Sequence, residues 1–438
     1  MELPNPNLVA RYKNAKHYLS SLVETVRANY PAKDLTVIGV TGTDGKTTTA
    51  HLIYEILKEG KFKVALISTV GAWGPKGFLD TGLHTTTPDA KVLQPLLAKF
   101  RSSGVTHVVL ETTSHGLDQH RVFGANFWAG VLTNVTHEHL DYHKTFKKYR
   151  QAKAKLFKKV KVAVLNKDDD SFGYFKRKTN KNTKVISYSL AGMADIKAGE
   201  IKEKKSGLDF LATDNGVGHR ITTVLSGKYN VSNILAAIGI TRALGVDWKT
   251  IQKSVKNFRG IPGRMEHIKT RPFQVIVDFA HTPNALEKLL QTLKVGVGTG
   301  RLIAIFGCAG ERDYRKRPMM GGVASRLADI SIFTAEDPRS ESLEKILAQM
   351  VDGARLARAR EFKPTNYNRQ PTTYPHIFIR EPDRAKAISL GIKLAKKGDI
   401  VVICGKGHEK SLAFVDGEHP WSDQEEAKKA LKNLKRKR

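Results

Sequence analysis

Leu35-Thr36-Val37-Ile38-Gly39-Val40-Thr41-Gly42-Thr43-Asp44-Gly45-Lys46-Thr47-Thr48 sets the architecture expected of this chain. The first six residues form a short apolar, β-branched run, and beyond the glycines Ala50, Ile53, Ile56 and Leu57 recur at helical spacing. A strand, a glycine-rich turn and a helix in that order present backbone N–H groups to phosphate oxygens. Gly42 and Gly45 allow the tight turn, Lys46 adds positive charge toward the terminal phosphates, and Thr47 offers a hydroxyl to Mg²⁺.

Working outward, further apolar runs at 64–67, 105–110, 130–132 and 162–165 are separated by helical segments. That alternation predicts a mainly parallel sheet covered by helices. Residues 185–228 read as a β-rich insertion with loop, followed by helices over 231–244 and near 249–256. Gly260-Ile261-Pro262-Gly263 reads as a hinge. Beyond it the pattern restarts: strands at 274–279, 302–306, 330–334 and 400–404 alternate with helices near 284–293, 320–327, 343–358 and 384–395. The expected fold is therefore α/β: a central P-loop-type, mostly parallel sheet domain and a C-terminal Rossmann-like α/β domain. The expected divisions are a helical extension (1–33), a central nucleotide-binding domain (34–262) and a C-terminal domain (263–438) with a basic tail.

Composition narrows the class. The chain has 438 residues, 40% of them hydrophobic and 26% charged, as a globular protein of two or three domains should. No apolar run is long enough to span a bilayer, and the N-terminus carries no basic-then-apolar leader pattern. Only two cysteines, Cys308 and Cys404, are present, each closing a predicted buried strand, which fits a reducing, cytoplasmic setting. Lys and Arg number 73 against 42 acids, a net charge of +31. Residues 144–161 hold nine basic side chains and no acid. Tyr149, Leu156 and Phe157 interrupt that run as on an amphipathic helix, and no nucleic-acid motif accompanies it. It reads as a solvated basic face, with no nucleic-acid partner and no integral membrane segment expected.

Candidate chemistry gathers at predicted strand ends. Glu111 follows the 105–110 run, at the carboxyl edge where such sheets hold ligands, and a carboxylate there suits Mg²⁺. His115, His120, His137, His139 and His143 cluster nearby, but their spacing matches no structural zinc site. Asp278 and His281 end the first strand after the hinge. Arg312, in the loop 307–313, and Arg339, after Asp337-Pro338, follow two others. Gly405-Lys406-Gly407-His408-Glu409 follows the last. Three polar loops at one predicted sheet edge imply a site. Lys153, taken alone, is a lysine on a basic helix.

In series these motifs resemble the Mur ligases, and within them the MurE type, over about residues 34–425. The resemblance rests on T-G-T-D-G-K-T-T (41–48), T-T-P (86–88), E-T-T-S-H-G-L-D-Q-H-R-V (111–122), H-L-D-Y-H (139–143) and A-K-x-x-L-F (152–157). It continues through Y-N-V-S-N (229–233), P-G-R-M-E (262–266), D-F-A-H-T-P (278–283), G-C-A-G-E-R-D (307–313), E-D-P-R (336–339) and G-K-G-H-E (405–409).

The resemblance implies an ATP-dependent, ADP-forming enzyme that forms an amide bond on small-molecule substrates and acts as a monomer. It implies ATP phosphates on Thr41, Gly42, Thr43, Asp44, Gly45, Lys46 and Thr47, with Asn230 and Asn233 by the adenine and Arg264 and Asp278 reaching the nucleotide. Mg²⁺ would be held by Thr47, Glu111, His139 and a carbamylated Lys153; Lys155, two residues on, is the alternative position. Lys46, Lys153, Glu111, His139, Asp278 and His281 form the implied catalytic set. Thr86, Thr87, Thr113, Gln119 and Arg121 would hold a UDP-N-acetylmuramoyl-L-Ala-D-Glu acceptor. Arg312, Glu336, Asp337, Pro338, Arg339, Gly405 and Glu409 would hold the incoming amino acid. Arg339 favours meso-diaminopimelate, whose distal carboxylate an arginine pairs bidentately. Two departures stand out: Glu336-Asp337 replaces the usual Asp-Asn, and Asp44 the usual asparagine. Only 40 residues precede the loop, so an N-terminal uridine-binding domain is expected to be missing. That leaves open a non-uridine or lipid-linked acceptor, or a relative that binds nucleotide or polyanion without activity.

Overall fold

The computed structural model describes residues 6–79, 86–204, 206–268, 270–363 and 376–436. They fall into two compact units: Met1–His137 with His143–Arg259, and Glu138–Tyr142 with Gly260–Arg438. The tail residues 437–438 lie outside the described set.

The first unit is built on an 11-stranded sheet. Its strands are β1 (Thr36–Thr41), β2 (Val64–Ser68), β3 (Gly71–Gly74), β4 (Gly77–Leu79), β5 (His107–Glu111), β6 (Phe127–Leu132), β7 (Val162–Asn166), β8 (Lys184–Ser189), β9 (Ile196–Lys204), β10 (Gly207–Asp214) and β11 (Val217–Thr223). They lie in the order β11-β10-β9-β8-β7-β6-β1-β5-β2-β3-β4. From β9 to β2 neighbouring strands run parallel, while the hairpins β9–β11 and β2–β4 are antiparallel. The central strands are buried nearly throughout, as apolar strands covered on both faces must be. The β-rich region read as an insertion is instead continuous with this sheet, because β8 pairs with β9.

Two glycines shape the layer over the central strands. A Cβ at Gly39 would sit 2.6 Å from Leu156 Cδ1, and one at Gly130 would sit 2.8 Å from Phe157 Cε1. The missing side chains let the segment after the helix Phe146–Ala154 lie close against β1 and β6, with Leu156 3% and Phe157 0% exposed. Apolar Leu156 and Phe157 thus anchor Lys153 three residues upstream.

The second unit carries a seven-stranded sheet. Its strands are β12 (Glu266–Ile268), β13 (Gln274–Asp278), β14 (Leu302–Phe306), β15 (Ile330–Phe333), β16 (Arg360–Glu361), β17 (Ile377–Arg380) and β18 (Ile400–Cys404), ordered β12-β13-β18-β14-β15-β17-β16. All pairs except β12–β13 are parallel. Alternate strand residues feed two apolar layers, one containing Leu286, Phe306 and Met350, the other Val275, Ile305 and Ile388. Most of the tail read as basic, 428–438, belongs to the helix Asp423–Arg436, which buries Ala427, Ala430 and Leu431 against the second layer. Among the described residues no helix is long and apolar enough to cross a membrane.

Filling the space above β1 with a branched side chain should strain the packing rather than strengthen it. Gly39→Val is expected to lower stability by about 1–3 kcal/mol through overpacking against Leu156 and Phe127. Denaturant unfolding checks this, and an unchanged midpoint would show that the segment is not held by that contact.

Candidate active site

In the first unit the site grows from the loop between β1 and the helix Lys46–Glu59. Gly45 has φ +79°, a left-handed conformation open to glycine, and its missing side chain leaves room for the Asn233 amide. A Cβ on Gly42 would collide with the Thr133 hydroxyl. The loop is tied down from outside: Asn134 accepts from Asp44 N–H at 2.9 Å and donates to the Asp44 carbonyl at 3.1 Å, and Thr133 Oγ1 donates to the same carbonyl at 2.6 Å. Lys46 Nζ donates to the Thr43 carbonyl at 2.6 Å. Thr41, at the end of β1, is buried, and its main-chain carbonyl accepts from Thr133 N–H at 2.9 Å.

Three polar side chains converge on this loop. Glu111, 1% exposed at the end of β5, accepts from the Thr47 hydroxyl at 3.0 Å and from Thr69 N–H at 3.0 Å. Lys153, 1% exposed, donates to the Gly42 carbonyl at 2.6 Å, and its Nζ lies 4.5 Å from the centre of the Tyr149 ring. Tyr149 in turn shares a 3.0 Å hydrogen bond with the Thr43 hydroxyl. Lys155 points elsewhere, to Asp118 at 2.6 Å. Of the two lysines in the motif, only Lys153 reaches the loop. From the helix Lys228–Ala243, Asn233 donates to Asn230 at 3.0 Å and accepts from Thr49 at 3.4 Å.

A second cluster in the same unit joins the threonines. Thr87 and Thr113 share a 3.0 Å hydrogen bond, and Thr69 donates to Thr86 at 3.0 Å. Arg121 donates to Gln119 at 2.8 Å and to the Thr87 carbonyl at 3.3 Å, and pairs with Asp89 at 3.0 Å.

In the second unit the three loops after β14, β15 and β18 knit together. Gly310 N–H donates to the Asp337 carbonyl at 2.9 Å, and the Arg339 guanidinium donates to the Gly310 carbonyl at 2.5 Å. Asp337 and Arg339 have φ of 43° and 53°, left-handed values that cost a non-glycine residue energy and recur at functional loops. Lys406, 2% exposed at its side chain, pairs with Asp337 at 2.8 Å and with Glu409 at 2.6 Å. Arg384 forms a bidentate pair with Asp423 at 2.8 and 2.7 Å, and donates to the carbonyls of Ala335 and Cys404 at 3.0 and 2.8 Å. Those carbonyls immediately precede Glu336 and Gly405, so one buried cation fixes where both loops leave the sheet. Arg312 stands exposed on its loop.

Two family models match the chain: the Mur ligase middle domain over residues 40–241 and the Mur ligase glutamate ligase domain over 263–407. A Thermosynechococcus vestitus protein named UDP-N-acetylmuramoyl-L-alanyl-D-glutamate–2,6-diaminopimelate ligase is 38% identical over 411 residues, 92% of this chain and 78% of that protein. The chain belongs to the Mur ligase family. A Roseiflexus protein named UDP-N-acetylmuramyl-tripeptide synthetase is 35% identical over 99% of this Mur ligase and 85% of its own length. A solved diaminopimelate ligase superposes with TM-score 0.61 at 34% identity, over 92% of this chain and 79% of that one. Mycobacterium tuberculosis folylpolyglutamate synthase complexed with ADP shares the fold, with TM-score 0.72 at 15% identity over 91% and 95% of the two chains.

Mur ligases are ATP-dependent, and the residues present suit a nucleotide: glycines at Gly42 and Gly45 leave no room for side chains, and a helix begins at Lys46. Asp278 in the second unit is half-buried at the end of β13. It accepts from Met265 and Ala280 N–H, both at 2.7 Å, while burial pushes its carboxyl up against the pull of Arg264. The Arg264 guanidinium lies 4.2 Å from the Phe279 ring, and His281 Nδ1 is 2.9 Å from the Phe279 carbonyl. His139 belongs to the segment Glu138–Tyr142 grouped with the second unit, 3.9 Å from Glu138, whereas Glu111 belongs to the first. No cluster of three or more metal-binding side chains stands ready-made among the described residues. The sequence reading missed Thr69, Asn134, Arg384 and Lys406. Asn134 lies two residues beyond the end of β6 at Leu132, so the strand-end rule that picked out Glu111 would have found it.

Glu336 is a strongly perturbed acid at these loops. It is 6% exposed, its Oε2 makes no hydrogen bond, and that oxygen lies where a Cβ on Gly405 would fall. Burial raises its carboxyl from 4.5 to about 7, against Lys316 and Arg384, which favour the ionised form. A raised folded value means its contribution to stability is complete below about 4.5 and disappears as pH rises through about 7. Melting temperatures of wild type and Glu336→Gln should therefore draw together, or cross in the variant's favour, between pH 5 and 8. A constant difference across that range would mean that Glu336 is not held protonated by its surroundings.

Proposed function

We propose that this Mur ligase joins meso-diaminopimelate to the D-glutamyl side-chain carboxylate of UDP-N-acetylmuramoyl-L-Ala-D-Glu, forming ADP and inorganic phosphate, in peptidoglycan precursor synthesis. The observation that carries the choice of amino acid is Arg339. Its left-handed backbone and its bond to Gly310 hold a guanidinium beside the 307–313 loop. A lysine substrate has no distal carboxylate and would leave that guanidinium without its bidentate partner. The names of the relatives agree with this reading.

In the first step a carboxylate oxygen of the acceptor attacks the γ-phosphorus of ATP, the bond to the β-phosphate oxygen breaks, and ADP leaves. Lys46 and the loop N–H groups spread the charge that develops on the transferred phosphoryl group. Bound Mg²⁺ would supply further neutralisation of the phosphate oxygens. Thr47 and Glu111 are its proposed ligands, with His139 and Lys153 as carbamate. In the second step the amine attacks the acyl carbon of the acyl phosphate, the carbon–oxygen bond breaks, and phosphate departs as the amine gives up a proton. Thr86, Thr87, Thr113, Gln119 and Arg121 orient the acceptor. Asn230, Asn233, Arg264 and Asp278 hold the nucleotide, with His281 alongside. Arg312, Glu336, Asp337, Pro338, Arg339, Gly405 and Glu409 receive the amino acid. The proposed enzyme is a monomer with small-molecule substrates.

Phosphate release from ATP, measured with each substrate omitted in turn, tests the reading. Release should require both diaminopimelate and the UDP-dipeptide, and Arg339→Ala should raise the diaminopimelate KM by about 10–100-fold while the ATP KM stays within about twofold, as loss of a charge-assisted pair of about 1.5–3 kcal/mol requires. Equal KM values in variant and wild type would remove the argument for that amino acid. Release only with a different acceptor would remove the argument for the UDP-dipeptide.

A further inference from the structure

The excess of positive charge is not used by the chemistry above, and the first unit's sheet shows where part of it goes. Strands β8-β7-β6-β1-β5-β2 run parallel, so their starts share one edge and the phosphate loop and Glu111 share the other. The length of β1 separates the two edges by roughly 20 Å. Backbone hydrogen bonds link the starts in sequence: Lys184 N–H to the Lys161 carbonyl at 2.9 Å and Lys161 N–H to Trp128 at 2.8 Å. On the other side Thr36 N–H donates to Thr106 at 2.9 Å and Thr106 N–H to Lys63 at 2.8 Å.

The five residues leading into each of these six strands, with the strand's first residue, contain eight exposed lysines and no arginine, among them Lys33, Lys63, Lys161 and Lys184. The same positions hold two carboxylates, and both have basic partners: Asp34 with Arg101 at 3.8 Å and Glu59 with Lys253 at 2.6 Å. Aromatic rings stand among the lysines. Tyr30 is 52% exposed, and Phe62 and Trp128 are partly exposed.

We propose that this amino-terminal sheet edge docks the enzyme on an anionic phospholipid surface, leaving the opposite edge open to substrates. Lysines with interleaved tyrosine and tryptophan suit a bilayer's headgroup region, where anionic lipids attract ammonium groups and amphipathic rings settle. The arginine that reaches this edge, Arg101, is engaged by Asp34 and by the Asn29 carbonyl at 3.1 Å, which argues against nucleic acid, whose phosphates and guanines are read by bidentate guanidinium forks. The proposal is independent of which amino acid or acceptor the enzyme uses.

Co-sedimentation of the full chain with vesicles tests it. Binding is expected to vesicles of phosphatidylglycerol and phosphatidylcholine, to be absent with phosphatidylcholine alone, and to be abolished in 500 mM NaCl as screening requires (about 4–5 Å Debye length). At about fivefold per neutralised lysine, the triple variant Lys63→Gln/Lys161→Gln/Lys184→Gln should bind roughly 100-fold more weakly. It should also keep the wild-type melting temperature and phosphate-release rate. A control with the same charge loss elsewhere, Lys288→Gln/Lys345→Gln/Lys397→Gln, should bind nearly as the wild type does. No binding to the anionic vesicles, equal loss in both triple variants, or tighter retention of the wild type by duplex DNA through the same three lysines would each overturn the proposal.

Discussion

The contact between Lys153 Nζ and the Gly42 carbonyl is the interaction that places the lysine on which the first unit's site depends. Before carbamylation its buried ammonium is costly unless satisfied, and here a carbonyl at 2.6 Å and the face of Tyr149 receive it. The contact exists because the chain can approach the sheet closely, and that approach needs glycine at 39 and 130. Backbone economy in two strands therefore decides where a functional lysine ends up. The same logic runs through the loop itself, where Gly42 and Gly45 yield their side-chain space to Thr133 and Asn233.

The second unit solves a different problem with charge. Its loops after β14 and β15 contain residues in costly left-handed conformations, Glu311, Asp337 and Arg339, which persist only when surroundings over-determine them. Arg384 holds the two strand ends from beneath, through the Ala335 and Cys404 carbonyls, and Lys406 bridges the loops above, through Asp337 and Glu409. Both cations are nearly inaccessible to water and meet carboxylates at hydrogen-bonding distance, the condition under which breaking one partner is most damaging. Glu336 sits between these cations yet stays close to neutrality in its titration, because burial outweighs their attraction.

Much of this was legible along the chain. The glycine loop, the apolar strands that follow it and the restart after residue 260 all announce themselves by local pattern, since a strand buried on both faces has little freedom to be anything but apolar. The choice of Lys153 over Lys155 rests on family spacing; in the structure Lys155 is engaged by Asp118. What could not be read were features set by tertiary partners. Strands β9–β11 looked like an insertion because nothing local says that β8 will pair with β9. Arg384 looked like the first residue of a helix, and nothing along the chain singled out Asp423, until the fold brought them together. Lys406 lay between two glycines of a motif whose glutamate drew attention, while its own role depends on Asp337 sixty-nine residues earlier. Segment Glu138–Tyr142, inside the first unit's sequence, groups with the second, which no periodicity reveals.

The central claim is that the terminal phosphoryl group of ATP passes to a carboxylate before the amide forms. Isotope transfer measures this directly: with ¹⁸O in the acceptor's D-glutamyl side-chain carboxylate, mass spectrometry of the released phosphate should find one ¹⁸O atom in each molecule formed. Released phosphate without the label, at an unchanged rate of amide formation, would contradict the account.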